Sequence, residues 1–426
     1  MLIRYLAPWC ILLHGTLALA QAPAAGGGRP ADTRPPSPES AAKEPPIDWR
    51  VEEAGTLARQ TQLTFPERFH KAGESYISPD GRRVIFQAVE KPAGDAAPDE
   101  FYAMYVADLV EGPAPGAPPA ATQPGDARAW HLEGVRRISP AGSANTCGWF
   151  HPTDPNRVLF GSTIGPPTAA TPPGYQRGTN RYRWSFPPEM RIVEVALDKA
   201  DGTAAPLTVL QGDGKAYHAE CTYSPDGRWL LFCSLGAEGG AGDGKGDIMV
   251  RNMTTGAVTP LVTAPGYDGG PFFSPGGERL CYRSDRKGDN LLQIYVAELD
   301  RGPDGLIRGV RREHAVTANA DVNWCPYWHP AGRHLAYATS AVSHRNYEIF
   351  LVDAAQDDAA TPPTSRYGTG QRRVTFADGA DVLPAFDSQG RRLIWTSQRG
   401  SDRSSQLWMA DFVMPLAPQT MEPGGR

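Results

Sequence analysis

Apolar and polar positions alternate in short runs along most of the chain, and one composite pattern returns six times. An apolar strand leads into a tight turn, and a second apolar strand follows. The copies are 76–86 (YISPDGRRVIF), 149–160 (WFHPTDPNRVLF), 222–232 (TYSPDGRWLLF), 272–282 (FFSPGGERLCY), 327–337 (YWHPAGRHLAY) and 385–395 (AFDSQGRRLIW). A third run follows each copy, at 101–109, 191–197, 247–252, 293–299, 348–353 and 406–412. A shorter fourth run recurs at 135–138, 206–209, 259–262, 313–317 and 372–376. Four antiparallel strands per unit, repeated radially, predict an all-β six-bladed β-propeller.

The turns explain the spacing. Pro79, Pro225, Pro275 and Pro330 pre-set φ at the first central position, and Gly81, Gly227, Gly277, Gly332 and Gly390 accept the positive φ that follows. The preceding Ser, His or Asp can take the free N–H groups of the turn on its side chain. The second copy is one residue longer and lacks the glycine, which predicts a wider turn. The sixth unit has no fourth run after Phe412, whereas a spare one, 61–65 (TQLTF), stands before the first unit. Pairing the two predicts a ring zipped shut by an N-terminal strand, with no free edge.

Glycine and proline make up about a fifth of the 426 residues, which suits a turn-rich β protein. The start of the chain differs in kind. Arg4 precedes an apolar run from Leu6 to Ala20, and small residues stand at Ala18, Ala20 and Ala22. This is the pattern of a secretory signal peptide over 1–20, shorter than the roughly 20 apolar residues a spanning helix needs. The expected address is periplasmic or secreted, with no transmembrane segment after cleavage. Residues 21–47 offer almost nothing to a core and read as a disordered Pro/Ala/Gly-rich tether, leaving 48–413 for the propeller and 414–426 as a tail.

Cleavage removes Arg4 alone among the charges, taking the net charge from −5 to about −6. A mildly acidic protein has no electrostatic draw to nucleic acid. Five cysteines remain, at 147, 221, 233, 281 and 325, in no zinc-binding spacing. An exported address permits a disulfide between Cys221 and Cys233 across the third hairpin, although a one-residue slip would leave both as buried thiols. The tract 236–247 (GAEGGAGDGKGD) matches neither an EF-hand nor a P-loop and reads as a hairpin loop. Pro-, Gly- and Ala-rich inserts at 111–128 and 164–178 read as loops on the faces of the disc. Trp149, Phe232, Tyr282, Trp328, Tyr337, Trp395 and Trp408 recur at matching positions and are expected to pack between blades.

With Ser78-Pro-Asp-Gly81 and Ser224-Pro-Asp-Gly227 between Tyr- and Phe-rich strands, and Asp268 seven places before its turn proline, the chain resembles the WD-like propeller repeat of the TolB family over residues 48–412. The resemblance implies the propeller; function is less constrained, since similar propellers act as binding modules, envelope partners and gates on peptidases. Two departures from such families stand out. The tether occupies the place of the α/β domain that precedes the TolB propeller, and no G-x-S-x-G elbow of a peptidase domain occurs.

First strands line a propeller's channel, so their polar residues are the natural site candidates. Counting seven back from each turn gives Asn145, His218, Asp268, Asn323 and Asp381, with Ala72 in the first blade; Glu74 and Glu220 lie two further on. Such a ring could bind a peptide, a glycan or a divalent cation, or each residue could satisfy a turn. No catalytic set or cofactor motif is expected. A second reading follows from oligogalacturonate lyases, propellers with related repeats that hold a divalent metal on histidines. His70, His218, His329 and His344 are the counterparts here, although His329 and His151 sit at the turn's Ser position. The favoured expectation is a non-enzymatic module binding an envelope or secreted protein, or a cell-wall polysaccharide. The alternative is a metal-dependent lyase or hydrolase working in the channel.

Overall fold

Why the repeats close into a ring is visible in the strand pairing of the computed structural model, which describes residues 47–94, 96–112, 129–168, 187–197, 206–236, 246–289, 291–357 and 364–415. Blade 1 comprises Phe69–Ile77, Arg83–Glu90, Ala103–Glu111 and Trp130–Arg137. Blade 2 comprises Asn145–Phe150, Arg157–Ser162, Arg191–Ala196 and Thr208–Gln211, and blade 3 Tyr217–Tyr223, Trp229–Leu235, Asp247–Asn252 and Val258–Val262. Blade 4 comprises Asp268–Phe273, Arg279–Ser284, Gln293–Arg301 and Ile307–Ala315, and blade 5 Asn323–Trp328, His334–Ser343, Asn346–Asp353 and Thr369–Arg373. Blade 6 takes Asp381–Phe386, Arg392–Ser397 and Gln406–Phe412, and its outermost strand is Leu57–Gln62. Every blade is antiparallel, and each first strand touches those of both neighbours, blade 6 meeting blade 1.

The turns behave as their residues demand. Ser78 Oγ accepts from the Arg83 N–H at 2.9 Å and Ser224 Oγ from that of Trp229 at 3.0 Å. Asp387 Oδ1 takes the N–H groups of both Arg391 and Arg392. The second strands of blades 1, 2, 3 and 6 and the third strand of blade 4 are buried on nearly every residue, because both faces of a blade are covered by its neighbours in the ring. Phe232, Tyr282, Trp328, Tyr337 and Trp395 are all buried there.

Ring closure is observed, but four residues earlier than the apolar pattern 61–65 suggests. Leu57 pairs with Phe412 and Gln62 with Trp408. Leu57 is buried against Phe386, Trp395 and Phe412, whereas Phe65 is 49% exposed and Pro66 has no N–H to continue a ladder. A short helix, Trp49–Glu53, precedes this strand, its N-cap Asp48 accepting from the Arg50 N–H. Its last residue is a wholly buried glutamate.

The proposed Cys221–Cys233 bridge does not form, and all five cysteines among the described residues are free thiols. The first hairpin of blade 3 shifts register between Ala219 and Thr222, so Ala219 stands opposite Cys233. Cys221 Sγ then faces blade 2, toward the Cys147 carbonyl, and Cys233 Sγ faces blade 4, toward that of Asp268. Most of the tract 236–247, most of both inserts, all of the leader and all of the tether but Ile47 lie outside the described residues. Among the described residues, no helix is long and apolar enough to cross a membrane.

Candidate functional site

The six first strands share a defect that builds the centre of the ring. Each shifts register against its second strand just before its last residues. The bulged residue, five places before the turn, takes a left-handed backbone: Glu74, Cys147, Glu220, Gly270, Cys325 and Leu383 have φ between 40° and 58°. A β-bulge re-aims its side chain, and here all six positions meet at the axis. Gly270 leaves room for something larger. A Cβ there would lie 2.1 Å from Nη1 of Arg283, whose guanidinium fills the vacant sector.

The axial groups satisfy one another. Glu220 accepts from the Tyr267 hydroxyl at 2.6 Å, the Gly270 N–H at 2.6 Å and Arg283 Nη2 at 2.9 Å. Glu74 accepts from the Tyr76 hydroxyl at 3.2 Å. Burial pushes the Glu74 carboxyl above its ordinary value, against the bond from Cys147 and the pull of Arg283. Burial likewise raises the Cys147 thiol well above its usual range and Cys325 up to about 12. Neither thiol supplies a thiolate near neutral pH. The space they enclose, about 30 Å³, suits water-sized guests.

Two residues nearer the turn, the side chains again point inward, and four are aromatic. Tyr76 and Trp149 have ring centroids 4.8 Å apart, Trp149 and Phe272 5.5 Å, and Phe272 and Tyr327 5.2 Å. Thr222 and Ala385 occupy the same position in the other two blades. The rings form a floor between the polar axis and a funnel of about 320 Å³. Pro79, Pro152, Pro225, Pro275, Pro330 and Ser388 from the six turns wall it. Among the lining residues the only ionisable carboxylate is Asp387, and none is a lysine, arginine or histidine. The volume is at the lower end for small-ligand sites, and the apolar walls with few polar groups suit recognition.

The expected site residues divide between two places. Glu220 lies at the axis. Asn145, Asp268, Asn323 and Asp381 turn into the blades, where they hold loops. Asn145 Nδ2 donates to the Tyr102 and Ser143 carbonyls, and Asn323 Nδ2 to Asn319 Oδ1 and the Asp321 carbonyl. Asp268 accepts from the Ala264 N–H and Arg286. His218 meets Phe232 edge-on, and burial lowers its pKa. His329 stacks edge-on against Phe386 and accepts the Ala331 N–H, His70 is exposed, and His344 lies beside Tyr347. Among the described residues, no group of three or more His, Cys, Asp or Glu is arranged to hold a metal ion. Trp149, expected between blades, instead belongs to the axial floor. The floor was legible in the repeats as the column Tyr76, Trp149, Thr222, Phe272, Tyr327 and Ala385; the bulge that aims it was not.

Asp381 accepts from Trp395 Nε1 and Arg399, and it also acts on buried Glu348. Burial first, and the Asp381 charge second, push the Glu348 carboxyl up to about 8, against its bonds to Thr375 and Arg373. A carboxyl raised above its unfolded value favours folding fully below that value, and the contribution is lost as pH rises through about 8. Wild type is therefore expected to lose more thermal stability than Glu348→Gln between pH 5 and pH 8.5. Parallel slopes in Tm against pH would show that Glu348 does not titrate in this window.

No protein-family model and no curated protein matches the sequence. Similar solved structures include a putative TolB from Agrobacterium tumefaciens, at 14% identity and TM-score 0.46, over 80% of this chain and 91% of that one. TolB from Acinetobacter baumannii is 17% identical at TM-score 0.46, over 78% of this chain and 65% of that one. An oligogalacturonate lyase from Vibrio parahaemolyticus is 11% identical at TM-score 0.44, over 83% and 93%. The six-bladed ring itself rests on the strand pairing described above.

Proposed function

We propose that this propeller is an exported, non-enzymatic binding module that takes a segment of an envelope protein or polymer into its axial funnel. The observation that carries this reading is the funnel itself: an open apolar site where all six blades converge, with aromatic rings below and prolines around. Aromatic floors supply large contact area at small conformational cost. The ionisable axial groups lie behind that floor and are bonded to one another, which leaves recognition as the work of the accessible surface. The leader-like run from Leu6 to Ala20 supports export to the periplasm or beyond.

A photo-crosslinking residue in place of Ser388, in cells making the full chain, tests both halves. The expected result is a covalent adduct in the envelope or culture fraction that disappears when Trp149→Ala is added. An adduct indifferent to Trp149→Ala, or a protein retained in the cytoplasm with its leader intact, would overturn the reading.

A further inference from the structure

We infer that the group received by the funnel is the guanidinium of an arginine carried on the partner's polypeptide. This rests on the funnel being the binding site and names the chemistry that the site selects. Three observations converge on a cation. The lining includes the aromatic rings of Tyr76, Trp149, Phe272 and Tyr327, and no basic side chain stands among the lining residues to repel an incoming charge. The one charged wall residue is a carboxylate, Asp387, which is paired with the Arg392 guanidinium, Oδ2 to Nε at 2.9 Å. Directly beneath the floor, Glu220 pairs with the one guanidinium there, that of Arg283, and Glu74 stands beside them.

The floor is tuned from below as well. Tyr76 donates a hydrogen bond from its hydroxyl to Glu74 at 3.2 Å, and a phenol that donates in this way presents a more electron-rich face. Cations over aromatic faces gain about 0.5–1 kcal/mol when exposed and about 2 kcal/mol or more when desolvated. A planar guanidinium stacks on such faces, whereas an ammonium keeps more of its hydration, so arginine fits better than lysine. The acidic balance of the mature chain, about −6, draws a basic segment in the same direction.

The probe is Nα-acetyl-arginine amide, set against Nα-acetyl-citrulline amide, its neutral near-isostere. Binding is read on the Trp149 indole N–H resonance of the full-length protein, assigned by its loss in Trp149→Phe. The arginine amide is expected to move that resonance and to bind at least about fivefold more tightly than the citrulline amide, the ratio that about 1 kcal/mol of cation–π energy gives. Glu74→Gln, which keeps an oxygen acceptor beneath Tyr76 but removes the ionisable carboxyl, is expected to narrow that ratio. A thermal melt accompanies it to confirm an intact ring. Equal binding of the two amides overturns the inference. If neither amide binds while the Ser388 adduct still depends on Trp149, the funnel remains the site and the arginine assignment falls. Loss of that dependence removes the funnel reading itself.

Discussion

Replacing Glu53 by alanine is expected to lower the free energy of unfolding by about 3–5 kcal/mol, the range found when one partner of a buried ion pair is removed. The reason is Arg399. Its side chain is wholly buried, as is that of Glu53. Nη1 donates to Glu53 Oε2 at 2.9 Å and to Gln60 Oε1 at 2.6 Å, while Nη2 donates to Asp381 Oδ2 at 2.9 Å. Trp49, Trp395 and Trp408 surround the guanidinium at 4.4–5.4 Å. Alanine at position 53 leaves this cation short of a counter-charge in a site water cannot reach. It also strips the Phe376 N–H of its acceptor, Glu53 Oε1, at 2.6 Å. Glu53→Gln keeps an oxygen acceptor and should lose less. Urea unfolding of the two single variants, Arg399→Met and the Glu53→Ala/Arg399→Met double variant isolates the coupling. A Glu53→Ala loss below about 0.5 kcal/mol would mean that the network carries little of the stability of this seam.

The second large effect is expected from removing the closure itself. A chain lacking residues 47–62 loses the strand Leu57–Gln62 and leaves Gln406–Phe412 as an exposed edge. Phe412, Phe386 and Trp395 then lose Leu57 as their cover. An unprotected edge with an apolar face pairs with other chains. The truncated protein should be recovered as aggregate or domain-swapped oligomer, not as monomer, and should lack a cooperative melt. Size-exclusion chromatography and circular dichroism decide the matter. A monomer melting within a few degrees of the full chain would show that the ring holds without its latch.

Both effects depend on contacts between residues more than 300 positions apart, which no local pattern announces. The repeated strand–turn–strand units are different, because their cause is local. Pro at the first turn position, Gly at the next but one and a side-chain acceptor before them bias the backbone wherever they occur. Four full copies of that bias and two partial ones, with apolar runs on either side, leave few architectures other than six blades. The closing strand shows where such reasoning stops. Of the pattern Leu63, Phe65, Leu63 is buried and its N–H donates to the Leu407 carbonyl at 2.8 Å, but the strand begins at Leu57 and Phe65 faces outward at 49% exposure.

The candidate site was settled by tertiary structure, and the deciding element was a bulge. Simple alternation counts seven back from the turn to reach the channel and so selects Asn145, Asp268, Asn323 and Asp381. A left-handed residue five places back breaks that alternation in all six blades. It turns Glu74, Cys147, Glu220, Cys325 and Leu383 to the axis and sends the others into loop contacts. Nothing in Glu, Cys or Leu marks a preference for positive φ. The sequence by itself determined the blades, because turn chemistry and strand period act within a dozen residues. Only the assembled ring decided which side chains share its axis, because that proximity exists only once six distant strands converge.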